Sequence, residues 1–579
     1  MSRISREEYA RRYGPTTGDR VRLGDTDLWI RVEDDHLGYG DEPIWGYAKN
    51  LRSRQTQSDR ATRESELDVV LAGVLVVDPL LGVVKTNLGI KDGRIVGIGR
   101  AGNPGIADGV ELTIGPNTWP VNAYGLIATA GAVDSHVHAI TPRLVPVALS
   151  GGVTTLVTAG FEEPPWAMDK TYRAFERLPV NLGLQASART DVPGHVERVI
   201  EAGACGLKIH EDWGAYPEIV DATLTLADAH DVSVCIHTDG LNESCELEDT
   251  VAAISGRAVH AYHVEGAGGG HVPDLMRIVR EPNVVCSSTT PTVPFGRAAA
   301  AEHLEMILLV HGGSRDLPED VEAALERIHP ATMAAEGPLH ELGAISVVNS
   351  DSQGMGRIGE TVRRTFQLAH AMKRWRATEA GSGWPEAPFV RRLVAPKTMP
   401  DDGLGPDDNE RVLRYLAKVT VEPARTHGIE TEVGSLAAGR LADVVLWRAS
   451  YFGVRPELVL KGGWFAWGPL GQGNASVGGA EPTRYGPHWG ALGEAAAVLS
   501  TTFVSRAALD GGIREALDSR RRFFAVEGVR SVRREGLVAN RTVPAIEVDP
   551  GDGKVTLDGR VLAAEPEAEV PLSRRYLLA

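Results

Sequence analysis

The sequence predicts an α/β chain: a (β/α)8, TIM-like barrel with a β-rich domain built from the segments before and after it. Three observations carry this. Eight short apolar runs alternate with helical patterns in the middle of the chain, as such a barrel requires. Strand-and-turn patterns without that alternation lie on both sides of it. Histidines, a lysine and acidic residues recur at the ends of the central runs, where a barrel has its mouth.

The elements follow in order. Ser5 with Glu8 three residues on forms a capping box, which predicts a short helix stopped by Gly14-Pro15. LDVVLAGVLVVD (67–78) and LGIKDGRIVGIG (88–99) read as strands around Asp-Gly and Gly turns, and the polar stretch 52–66 as a solvated loop. The eight barrel strands are expected at 126–138, 152–160, 180–187, 206–212, 232–239, 258–266, 283–289 and 344–351. After about residue 420 the strand pattern returns in GSLAAGRLADVVLW and ELVLKGGWFAW. Residues 495–525 read as helical and 543–562 as a final hairpin. The expected domains are 1–127 (β-rich), 128–425 (barrel, with a mobile flap around 305–335), 426–480 (return to the β-rich domain) and 481–579 (helical segment and hairpin).

Composition narrows the function. The 579 residues include 60 Lys+Arg against 77 Asp+Glu, a net charge of -17, with no long basic run. Phosphate neutralisation needs clustered cations, so nucleic-acid binding is not expected. Neither a signal-peptide core nor an apolar run of about 18 residues is present, which predicts a cytosolic chain that does not span a membrane. Four cysteines, Cys205, Cys235, Cys245 and Cys286, are too few for a disulfide framework. The sequons at Asn474 and Asn540 read as chance matches.

The chemistry sits at the predicted strand ends. His136 and His138, two residues apart on a strand, share one face. Taken alone, the pair is as readily two core or surface histidines as two metal ligands. Lys208, His210 and Asp212 repeat the spacing on the fourth strand. A lysine inside a barrel is costly unless its charge is removed or paired; carbamylation by carbon dioxide and a salt bridge to Asp212 both answer that. His237, His263 and Asp351 end the fifth, sixth and eighth strands. Four histidines, a carbamylated lysine and an aspartate can hold two divalent metals, with zinc, nickel and iron all suited to imidazole. Such a pair hydrolyses amide-like bonds.

YGPTTGDRVRLGDTDL (13–28), GLKIHEDWG (206–214), IHTDGLNES (236–244), HVEGAGGGHVPD (263–274), SDSQGMGRIGE (350–360) and HGIETEVGSLAAGRLADVVLW (427–447) resemble the catalytic (alpha) subunits of ureases, within the amidohydrolase superfamily. The resemblance runs nearly end to end. It implies urea hydrolysis to ammonia and carbamate at two Ni2+ ions bridged by carbamylated Lys208. His237 and His263 would hold one nickel; His136, His138 and Asp351 would hold the other. His210 would hydrogen-bond the substrate carbonyl, and His311 would be the flap general acid, oriented by Asp212 and Arg327. Gly268 and Gly354 would line the substrate pocket. The implied partners are separate beta and gamma chains, or one fused small chain, in a trimer of heteromers, together with nickel-delivering accessory proteins.

The sequence departs from the family pattern in three places. Val310 stands where a cysteine precedes the flap histidine, TAGFEEPPWAMDKTY replaces a glycine-rich stretch after the second strand, and Gly354 replaces an alanine. These departures spare the ligand positions and change the pocket walls. Two further readings therefore stand beside urea hydrolysis: a hydrolase of another small urea or amide, and a non-catalytic assembly subunit. A zinc cyclic amidase shares the ligand set but has no reason to contain KIHEDWG or GAGGGH.

Overall fold

The computed structural model describes residues 4–38, 54, 56–160, 164–210, 214–237, 246–266, 273–397, 399–470 and 485–573. Eight parallel barrel strands follow one another: β1 (Ala132–Val137), β2 (Val153–Thr158), β3 (Asn181–Gly183, then Gln185–Ser187), β4 (Gly206–Ile209), β5 (Ser233–His237), β6 (Val259–Tyr262), β7 (Val284–Thr289) and β8 (Val347–Asn349). A parallel bridge from Val137 to Ser352 brings the end of β8 back to β1. α-Helices fill the connections, except after β6, where Pro273–Arg280 is a 3₁₀ helix. The strands are buried on both faces, which explains their apolar runs without alternation.

The flanking sheet joins the two ends of the chain. Its order is 485–487, 464–469, 458–461, 444–448, 126–130, 69–78, 82–91, 34–35. Leu126–Ala130 is the seam, parallel to Val69–Asp78 and antiparallel to Val444–Arg448. Within it, the predicted strand 88–99 is a hairpin arm on each side of Asp92-Gly93, both at positive φ as a tight two-residue turn demands.

Three expectations change. The run 126–138 is two strands, because the chain breaks at Gly131 and its first half joins the flanking sheet. A Cβ at Gly131 would lie 2.1 Å from the Thr154 hydroxyl, so only glycine lets the backbone pass β2 there. The run 180–187 is interrupted at Leu184, and its two halves pair with different neighbours. Residues 495–525 are not simply helical: Thr501–Val504 and Arg522–Ala525 are parallel strands that extend the barrel sheet outward from Asn181–Gly183. These strands are four residues each, and the helices around them set the period that the sequence displays. Arg521 pins the extension by donating to the carbonyls of Phe175, Leu178, Val180 and Thr501.

The N-terminal helix Arg6–Tyr13 is capped by Ser5, whose Oγ accepts from the Glu8 N–H at 3.1 Å. The C-terminal region ends in antiparallel strands 546–548, 555–557 and 560–561. Asn540 is buried and donates to the Arg414 carbonyl, so its sequon is not a surface acceptor; Asn474 lies outside the described residues. Among the described residues, no helix is long and apolar enough to cross a membrane.

Candidate metal centre

The carboxyl ends of β1, β4, β5, β6 and β8 bring the predicted ligand residues to one place. His136 Nε2 and His138 Nε2 lie 3.3 and 3.1 Å from the same Asp351 oxygen, Oδ1. Ligand atoms of His136, His263 and Asp351 all fall within 4.8 Å of one another. The His237 ring meets His263 edge-on at 4.5 Å and stacks on His210 at 4.1 Å. Lys208 Nζ lies 4.1 Å over the Tyr262 ring, and that ring stacks on His136 at 4.0 Å. Gly160 is the neighbour that makes room for Lys208: a Cβ there would come within 2.6 Å of the lysine Cβ.

Local backbone sets these directions. Strand alternation points His260 and Tyr262 into the barrel and would turn His263 away. His263 instead has φ 44°, which swings it to the same side. Asp351 has φ 53° just beyond β8. Left-handed backbone is uncommon in residues with a Cβ, and two cases meeting in one cluster mark a site held in place by its surroundings. The Asp351 loop is closed by its own carboxylate, since Oδ2 accepts from the Met355 N–H. A Cβ on Gly354 would stand 2.5 Å from Asp351 Oδ1 and 2.9 Å from His138 Cδ2, so the glycine lets that loop close on those two side chains.

Charge states suit a cation. Burial, then the charge of Lys208 and the other imidazoles, drives His136 well below its ordinary pKa, so it is neutral. Burial pushes Asp351 upward, but the His138 hydrogen bond and the surrounding imidazoles outweigh it and hold the carboxylate ionised. Neutral imidazoles and an ionised carboxylate are the forms that coordinate metal. His136 Nδ1 is buried without a hydrogen-bond partner, an open lone pair or N–H in the core of the cluster. The donor set therefore fits divalent metal, with nitrogen and oxygen ligands and no thiol among them.

The other predicted residues divide. His311 caps helix Ala299–Val310 on an exposed turn, its Nδ1 3.0 Å from the Ile307 carbonyl and its Nε2 3.5 Å from Arg327. Arg327 ends the next helix, Pro318–Glu326, so the two residues are brought together by the helical hairpin. That hairpin packs Ile307, Leu308 and Ala324 against Met355 of the Asp351 loop. Asp212, Gly268 and Cys245 lie outside the described residues.

Sequence reasoning missed the supports. Asp134 accepts from the N–H groups of His136 and Ser350 and from Thr361 Oγ1, tying β1 to β8; burial lifts its pKa to about 6. Its signal was present in Asp134-Ser-His136, on the same strand face. Tyr262 donates to the Ser135 carbonyl at 2.7 Å, and nothing in its local sequence marks that role. Glu336, its pKa raised by burial, accepts from Thr292 Oγ1.

Fold and site together define a metal-dependent hydrolase barrel, and a match of residues 127–475 to the amidohydrolase family agrees with that class. Residues 2–121 match the urease alpha-subunit N-terminal domain. The chain is 46% identical to urease subunit alpha 1 of Streptomyces avermitilis over 578 residues, covering 98% of this chain and 99% of that one. It is 45% identical to urease subunit alpha 2 of Streptomyces coelicolor, covering 98% and 99%. The chain belongs to the urease alpha-subunit family. Among solved structures, it is similar to dihydropyrimidinase from Brevibacillus agri NCHU1002 at 14% identity and TM-score 0.46, over 69% of this chain and 94% of that one.

Proposed function

We propose that this chain is the catalytic subunit of a cytosolic urea amidohydrolase that yields ammonia and carbamate. The observation that carries the reading is the convergence of His136, His138, His263 and Asp351 at three strand ends, with His237 and Lys208 beside them. In this reading Lys208 takes up carbon dioxide at Nζ, losing a proton to become an anionic carbamate. That carbamate would help hold two Ni2+ ions, with His136, His138 and Asp351 serving one and His237 and His263 the other. When bound, such a pair polarises a carbonyl and lowers the pKa of water.

The chain's own residues do the rest. His210, stacked on His237, donates to the substrate carbonyl oxygen. His311 moves the proton to the departing amine; the Ile307 carbonyl fixes its Nδ1–H and leaves Nε2 for exchange beside Arg327. In this reading Asp212 orients that histidine, and Gly268 and Gly354 line the substrate pocket. Packing of the hairpin on Met355 links closure over the site to the Asp351 loop.

Small urease subunits complete the assembly in this reading, with accessory proteins delivering nickel. An exposed apolar stretch supports a partner surface: Phe389, Leu393, Val394 and Leu404 are all more than half exposed on an irregular segment. The test is ammonia release by the purified complex from urea, N-methylurea, formamide and acetamide. Urea as the preferred substrate is expected. Preference for a substituted urea or amide transfers the reading to a related hydrolase, and no turnover with bound metal transfers it to an assembly role.

A further inference from the structure

We propose that the barrel core contains a second metal site, made by Cys235, His260 and His427, for one soft monovalent cation of the copper(I) type. Cys235 Sγ lies 3.9 Å from His260 Nδ1, and His260 Nδ1 lies 3.2 Å from His427 Nε2. All three ligand atoms fall within 4.8 Å of one another and all three residues are buried. Three separate elements supply them: β5, β6 and the turn after helix Val421–Thr426. His427 Nδ1 sits 3.3 Å from Ser233 Oγ. With the N–H on Nδ1 donated to that hydroxyl, the Nε2 lone pair faces the cluster, as ligating histidines usually have it.

The site is distinct from the catalytic centre. Cys235 precedes His237 on β5 and His260 precedes His263 on β6, so the cluster lies deeper in the barrel, toward the amino ends of the strands. A cavity of about 10 Å³, the size of one water, approaches from that end and is lined by Ser233, His260, Asn283, Thr426 and Arg530. This side is opposite the barrel mouth.

Charge and donor type choose the cation. Among the described residues the cluster holds one thiol and two imidazoles and no carboxylate. One thiolate and two neutral imidazoles around a monovalent ion form a neutral group. A divalent ion would leave a net buried charge, which is costly. Three donors including a thiolate suit copper(I), whereas structural zinc takes four. Binding releases the thiol proton as the metal–sulfur bond forms, with no change of oxidation state.

The test is anaerobic titration of the purified complex with copper(I), buffered by a chromophoric copper(I) chelator. The parent should bind one equivalent that Cys235→Ser weakens by more than about 100-fold, beyond the 10–100-fold loss typical of outer partners. His427→Gln should weaken it similarly, while Cys205→Ser and Cys286→Ser keep it. Circular dichroism and ammonia release establish that each variant is folded. Should Cys235→Ser not fold, X-ray absorption of the copper-loaded parent decides, with one sulfur and two nitrogen neighbours expected. Equal binding by Cys235→Ser, no binding by the parent, or a copper shell without sulfur would overturn the site and leave a hydrogen-bonded histidine pair.

Discussion

Two buried polar regions of this protein treat a lysine in opposite ways. Where the flanking sheet meets β2 and β3, Lys461 donates to Asp443 Oδ2, to Asn181 Oδ1 at 2.9 Å and to the Thr154 carbonyl. Asp443 in turn accepts from Asn181 and from the Gly462 N–H. One cation meets one anion, and each is fully hydrogen-bonded. At the barrel mouth, Lys208 lies over the Tyr262 ring, which stacks on His136, and His136 and His138 meet the carboxylate of Asp351. Burial, then the charge of Lys208 and the other imidazoles, depresses His136. The first network is complete as the chain alone builds it. The second sets a lysine among imidazoles, and burial and its charge depress the pKa of His136 there, which distinguishes it from the closed pair.

Substitution should separate the two. The largest effect is expected for Lys208→Ala: both metals and all hydrolysis are lost, because no other anion spans the pair, and added short carboxylic acids restore part of each. Full metal occupancy in that variant would remove the carbamate assignment. Next comes His311→Ala, which should cut turnover by roughly 10²–10⁴-fold with metal content unchanged. Nickel loss there would make His311 a ligand or a folding residue.

The stability contrast is smaller and more diagnostic. In metal-free protein, Lys461→Met should destabilise by about 3–5 kcal/mol, since it strands the Asp443 charge. Lys208→Met should leave the melting temperature unchanged or raise it, because it removes a cation from among imidazoles. Similar losses in both variants, read by thermal unfolding, would mean that the mouth is a structural network like the other.

The smallest effect concerns thiols. Cys205, Cys235 and Cys286 are buried, and burial pushes the Cys235 and Cys286 thiols up to about 11. Val310, the last residue of helix Ala299–Val310, is exposed and cannot be alkylated. The parent should lose activity slowly under an alkylating reagent, and Val310→Cys should lose it faster. Equal loss would show that Val310 is not at the flap or that another cysteine lines the pocket.

The sequence displayed the site better than the fold's joints. Each proposed ligand is a chemically distinctive residue at the end of a barrel strand, so spacing and position made it legible. The turns of His263 and Asp351 into positive φ were invisible, because tertiary context rather than local preference holds them there. The break at Gly131 was hidden inside one continuous apolar run, and strands 501–504 and 522–525 were too short to interrupt a helical period. Tyr262 and Asp134 serve the site through hydrogen bonds to partners on other strands or remote backbone, which no local pattern encodes.

The central claim is that the mouth holds two metals that hydrolyse urea together. Its most direct test is nickel titration of the metal-free complex in bicarbonate, following bound nickel and ammonia release from urea in parallel. Activity should rise with loading and stop rising at two nickel per chain. A break at one nickel, or full loading with no ammonia from urea, would contradict it.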